Sequence, residues 1–153
     1  MSRIHVLLSG GIGSRLWPLS RKSRPKQYIP MFDGKTLFQL TAERNVKLCH
    51  RGIVVVNQEN LENASENLLE SKLEQQYTAL VEATPRNTAA AIAFAAFSCD
   101  PDDLLFITPS DHLIENDLEY QRAVERAFEL AENSFIVTLG ICPTRPETGY
   151  GYI

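Results

Sequence analysis

The chain has 153 residues, 44% of them hydrophobic and 22% charged, which suffices for one globular domain with its own core. Its 19 acids outnumber its 15 bases for a net charge of -4, scattered along the chain. That balance excludes a broad nucleic-acid or anionic-membrane surface as the main partner and makes any basic site local. Cys49, Cys99 and Cys142 are widely spaced, with no CxxC and no histidine pair at ligand spacing. Neither a disulfide framework nor a zinc site is expected, and a reducing, cytoplasmic setting is the simplest. No stretch approaches the length of a membrane span, and the opening apolar run is too short for a signal-peptide core, so no membrane partner is expected.

In chain order the pattern alternates. Apolar, β-rich runs predict strands at Ile4–Leu8, Gly52–Val56, Tyr77–Val81, Leu104–Thr108 and Phe135–Leu139, each read as buried on both faces in the manner of a parallel sheet. Between them, apolar residues at three-to-four spacing or alanine-rich runs predict helices at Thr36–Cys49, Asn60–Leu73, Asn87–Ser98 and Leu118–Glu132. Alternation of this kind specifies an α/β fold, a Rossmann-like three-layer sandwich around a mainly parallel sheet. No repeat, linker or low-complexity tract interrupts residues 1–153, so no internal boundary is expected. The final run, Thr148-Gly149-Tyr150-Gly151-Tyr152-Ile153, is strand-like and apolar to its last residue, an odd end for a domain. The expectation is a truncated sheet whose open edges favour self-association.

The first strand passes directly into Ser9-Gly10-Gly11-Ile12-Gly13-Ser14-Arg15. Three glycines in four positions let the backbone turn tightly and present amide N–H groups to an anion. Ligands of open α/β sheets bind beyond the carboxyl ends of the strands, where this loop lies. The alternative is a tight strand-exit turn with no ligand. A P-loop is disfavoured because GxxxxGK[ST] is absent, and a dinucleotide loop because the third glycine of GxGxxG is missing. Downstream, Arg15 can grip phosphate oxygens as a fork, and Lys26, held by Pro25, offers a compact point charge to one phosphoryl group.

Two later stretches carry polar residues at strand ends. In Glu82-Ala83-Thr84-Pro85-Arg86-Asn87-Thr88, the Glu82 carboxylate can accept from a guanine ring N–H and exocyclic amine, and the helix amino end favours an anion or ribose hydroxyl. Asn87 and Thr88 serve equally well as simple helix caps. In Pro109-Ser110-Asp111-His112, Asp111 is placed to hold Mg²⁺ between phosphates, the alternative being a turn former. His112 takes no assigned role.

The run Gly10-Gly11-Ile12-Gly13-Ser14-Arg15-Leu16-Trp17-Pro18-Leu19-Ser20 followed by Pro25-Lys26-Gln27 resembles the signature of the sugar-1-phosphate nucleotidyltransferases. Trp17 and Gln27 resemble the mannose-1-phosphate guanylyltransferase branch. Glu82 to Ala89 is similar to that branch's nucleotide loop, Ser110 and Asp111 to its acidic metal motif, and Thr144 to Ile153 to its sugar-binding segment. The resemblance implies transfer of a guanylyl group from GTP to mannose 1-phosphate, giving GDP-mannose and pyrophosphate. It implies Arg15, Lys26 and Asp111 as catalytic residues, with Asp111 holding Mg²⁺. Leu8, Gly10, Gly11, Gly13, Ser14, Arg15, Glu82, Asn87, Thr88, Ser110 and Asp111 would bind nucleotide, and Gly149 and Tyr150 the sugar. It further implies that the family's remaining sheet and second metal ligand lie outside these residues, so that this chain binds nucleotide but turns over weakly or not at all. Two rival readings stand beside it: the same chemistry with another nucleotide and hexose 1-phosphate, or a nucleotide-binding module without turnover.

Overall fold

A computed structural model of the chain describes residues 1–11, 16–21, 24–84, 86–146, 148–149 and 151. Four parallel strands form its sheet: β1 (Arg3–Leu8), β2 (Arg51–Asn57), β3 (Tyr77–Glu82) and β4 (Leu104–Pro109), in the spatial order β3-β2-β1-β4. Four helices accompany them: α1 (Leu37–Asn45), α2 (Leu61–Glu70), α3 (Asn87–Phe97) and α4 (Asp117–Glu132). Contacts divide the chain into a unit over Met1–Asp117 and a second over Leu118–Ile153.

In the first unit, side-chain alternation along the strands builds two apolar layers. Leu7, Val54 and Val56 join Phe38 and Ala42 of α1 and Ala64 and Leu68 of α2 on one face. Ile4, Val6, Ile53 and Val55 meet Ala91 and Ala95 of α3 on the other. Helix, sheet and helix are thus stacked as a three-layer sandwich, as the alternating pattern predicts. The reading of every strand as buried on both faces holds for β1 and β2 alone. β3 and β4 stand at the sheet's edges among the described residues, where helices cover them incompletely.

Local signals fix the element ends. Thr36 caps α1 through a capping box: its hydroxyl accepts from Gln39 N at 3.1 Å, and Gln39 Oε1 accepts from Thr36 N at 2.9 Å. The same Thr36 hydroxyl donates to Asn67 Oδ1 at 2.7 Å, tying α1 to α2. Gly52 has a steric reason to be glycine, since a Cβ there would fall 2.2 Å from Cε1 of Tyr77, its register partner on β3.

The second unit holds α4, braced on its surface by Arg122–Glu119 and Arg126–Glu129 ion pairs at 3.1 and 2.6 Å. Phe135–Leu139 forms no strand, contrary to the sequence expectation, and Phe135, Ile136 and Leu139 are exposed. An apolar run supplies the side chains of a strand, but the ladder also needs a neighbouring backbone, and Phe135–Leu139 pairs with none among the described residues.

Candidate functional site

The order β3-β2-β1-β4 sets the position of the site. The chain moves outward from β1 to β2 and β3 with α1 and α2 on one face, then returns through α3 on the other face to lay β4 beside β1. Strand order therefore reverses between β1 and β4, and the crevice outside their carboxyl ends is where open α/β sheets receive ligands. Leu8 closes β1 there, its carbonyl accepting from Ser110 N at 3.1 Å. The glycine loop leaves β1 at this rim and Ser110-Asp111 leaves β4 at the same rim.

A 3-10 turn at Lys26–Tyr28 faces both. With three residues per turn, consecutive side chains point about 120° apart, and each of the three reaches a different partner. Lys26 Nζ pairs with Asp111 Oδ2 at 3.1 Å. Gln27, buried, donates from Nε2 to the Gly11 carbonyl at 3.1 Å. The Tyr28 hydroxyl lies 2.7 Å from Ser9 Oγ. Ser9 is the hub beneath the rim: Ser110 Oγ donates to it at 3.1 Å, and its backbone N–H bonds the Val55 carbonyl at 2.9 Å. One buried hydroxyl thus ties together the starts of the glycine loop and the Asp111 turn, and Tyr28 ties both to the Lys26 turn. Burial pushes the Tyr28 phenol well above its usual range, only partly opposed by the Ser9 hydrogen bond, so it remains a neutral hydroxyl.

Glu82 ends β3, two strands from β1, yet it approaches the loop: a Cβ placed on Gly10 would stand 3.7 Å from Glu82 Oε2. Asn87 begins α3 at φ +66°, a left-handed backbone that asparagine tolerates better than most residues, and the N-cap Arg86 makes no side-chain cap bond. Asn87 and Thr88 are exposed. His112 is exposed as well, 4.0 Å from Asp111 Oδ1, rather than a buried structural histidine.

Leu8, Gly10, Gly11, Lys26, Ser110 and Asp111 accordingly meet at the β1/β4 rim, with Glu82 beside Gly10. Gly13, Ser14, Arg15 and Tyr150 lie outside the described residues, and Gly149 lies in the second unit. Sequence reasoning missed Ser9 and Tyr28 and gave Gln27 no structural role. The available signal was a polar residue where an apolar strand meets its loop, followed later by an aromatic in a proline-led turn. Asp111 offers a hard oxygen ligand, and no cluster of three metal-ligating side chains occurs among the described residues. That donor set still suits Mg²⁺, which commonly takes one or two carboxylates and completes its shell with phosphate and water.

A glycine-rich strand exit, a lysine and a carboxylate thus meet at a topological switch point of an α/β sheet. The chain belongs to the nucleotidyl transferase family, which it matches over residues 4–153. It is 45% identical to the xanthan biosynthesis protein XanB of Xanthomonas campestris over 97% of this chain and 32% of that protein. It is 40% identical to the mannose-1-phosphate guanylyltransferase RfbM of Salmonella typhimurium over 100% of this chain and 33% of the relative. A solved structure from Helicobacter pylori, described as mannose-6-phosphate isomerase, superposes with a TM-score of 0.85 at 35% identity, covering 97% of this chain and 54% of that one. The chain thus spans about a third of the length of the curated relatives it matches.

Proposed function

We propose that this chain supplies the nucleotide-binding part of an enzyme that transfers a guanylyl group from GTP to mannose 1-phosphate. The observation that carries the reading is the meeting of Gly10-Gly11, Lys26 and Asp111 at the β1/β4 switch point, with the Glu82 carboxylate against Gly10. The names of relatives such as RfbM support the choice of sugar and nucleotide.

In the reaction, an oxygen of the mannose 1-phosphate phosphate bonds to the α-phosphorus of GTP. The bond from that phosphorus to the bridging oxygen of the β-phosphate breaks, and pyrophosphate leaves with the electron pair. The nucleophile is already an anion at neutral pH, so the protein needs no general base, and catalysis is positioning and charge neutralisation. Backbone amides of the glycine loop and Arg15 hold the leaving pyrophosphate. Lys26 stabilises charge on the transferred phosphoryl group, and Glu82 accepts from the guanine edge. Asp111 would hold Mg²⁺, which when bound draws charge from the phosphate oxygens. Gly149 and Tyr150 are assigned to the sugar through the family likeness. The three cysteines, none of them in a disulfide, fit a cytoplasmic setting, and the sides of β3 and β4 left unpaired among the described residues fit self-association.

The test is calorimetric titration of GTP into this chain with Mg²⁺ present, beside UTP, ATP and the Lys26→Ala variant. Saturable binding that prefers GTP and weakens in the variant is expected. Equal binding of all three nucleotides would overturn the guanine assignment.

A further inference from the structure

The Lys26–Asp111 contact sets two proposed ligands against each other. Asp111 is the carboxylate suited to a divalent cation, yet its Oδ2 is already paired with Lys26 Nζ at 3.1 Å, while His112 Nε2 stands 4.0 Å from Oδ1. A cation entering at Oδ2 would meet an ammonium at close range, and it would have to displace that ammonium from the one carboxylate it pairs with among the described residues. Lys26 is anchored beside Asp111 at its base, while its four-carbon stem stays free to turn. Its backbone belongs to the 3-10 turn, and that turn is fastened from below by the Gln27–Gly11 and Tyr28–Ser9 hydrogen bonds. Both partners keep part of their surface, at 30% and 41% exposure of their side chains, so solvent screens the pair without dissolving it.

We propose that Lys26 bars divalent cations from Asp111 until a phosphate group draws the ammonium away, so that metal and nucleotide enter the rim as one coupled event. Phosphate oxygens give Lys26 a replacement anion, and the same oxygens complete the shell of a cation on Asp111. The two ligands then assist each other, each raising the affinity of the other by the same factor. The consequence for the empty rim is that free divalent cation binds poorly. The phosphate half rests on the functional reading above, whereas the exclusion of cation from the nucleotide-free chain does not.

The experiment uses Mn²⁺ as the probe, followed in the nucleotide-free chain by the loss of its free-ion electron paramagnetic resonance signal. Three variants are compared with the parent chain: Lys26→Gln, Lys26→Arg, and the double variant Lys26→Gln with Asp111→Asn. Lys26→Gln is expected to bind Mn²⁺ on the order of tenfold tighter than the parent, removing one neighbouring positive charge. Lys26→Arg keeps the charge and should bind as weakly as the parent, and the double variant should lose the gain. Circular dichroism of each variant checks that the fold is intact. Equal Mn²⁺ affinity in parent and Lys26→Gln, no binding by either, or a gain that survives Asp111→Asn would each overturn the proposal. Because no nucleotide is present, a failure of GTP to bind in the calorimetric test would leave this result standing.

Discussion

Two buried polar networks sit on the same sheet and differ in how they end. At the rim, Ser9, Tyr28, Gln27 and Ser110 bond to one another and hold up partly exposed charged groups, Lys26 and Asp111. Deeper in the sheet, His5 of β1 bonds through Nδ1 to the Tyr77 hydroxyl at 2.5 Å, and its Nε2 lies 2.8 Å from Thr108 Oγ1 and 3.2 Å from Asn45 Nδ2. Tyr77 in turn donates to the Ala42 carbonyl at 3.3 Å. That chain of donors places the imidazole proton on Nδ1 and leaves Nε2 as the acceptor. Every member of the deeper network is buried and bonded inward, so it has nothing to offer a ligand. Burial of polar groups therefore does not mark a site by itself; a site needs a network that ends at accessible charge.

That contrast can be broken from either side. The largest effect is expected at Gly52→Ala, whose Cβ would strike a Tyr77 ring anchored by His5 and Ala42. A loss of about 3 kcal/mol is expected in urea unfolding, with the affinity of the folded fraction for GTP unchanged. Lys26→Ala acts in the opposite sense. Loss of one charge-assisted phosphate contact should weaken GTP binding by about 2 kcal/mol, roughly thirtyfold, with little change in the unfolding midpoint. A drop in stability matching the drop in affinity would erase the distinction between the two networks.

The deeper network also predicts a pH dependence. Burial, reinforced by the Arg44 charge, lowers the His5 pKa from 6.5 to about 3. Below pH 6.5 the unfolded chain takes up a proton at His5 that the folded chain refuses. The stabilisation is therefore full above the unfolded pKa and is lost progressively as pH falls toward 3. Between pH 7 and 5 the loss is about 2 kcal/mol, and a His5→Gln variant, weaker at pH 7, should show a flatter profile over that window. The smallest effect belongs to Tyr28→Phe, which removes one of several bonds at Ser9. A stability loss of about 1 kcal/mol and a GTP affinity reduced only severalfold are expected from denaturation and calorimetry.

Much of the frame was legible because its signals are local. The strands at Ile4, Gly52, Tyr77 and Leu104 and the four helices announce themselves by apolar periodicity, and Thr36 and Gln39 carry a capping box in their spacing. Phe135–Leu139 misled because hydrophobicity reports the wish for burial, whereas strand formation is settled by a partner elsewhere in the chain. His5 passed unremarked inside an apolar run, since its three partners lie 40 or more positions away.

By itself the sequence determined the α/β class, the parallel strands and the identity of the glycine loop, Lys26 and Asp111 as chemically apt residues. Those follow from periodicity, backbone freedom and charge, which are properties of neighbours in the chain. Only the tertiary structure decided that β4 returns beside β1, that Lys26 meets Asp111 across 85 positions of chain, and that Ser9 binds their turns together. Strand order is settled by the packing of helices on two faces of the sheet, and no local pattern encodes it.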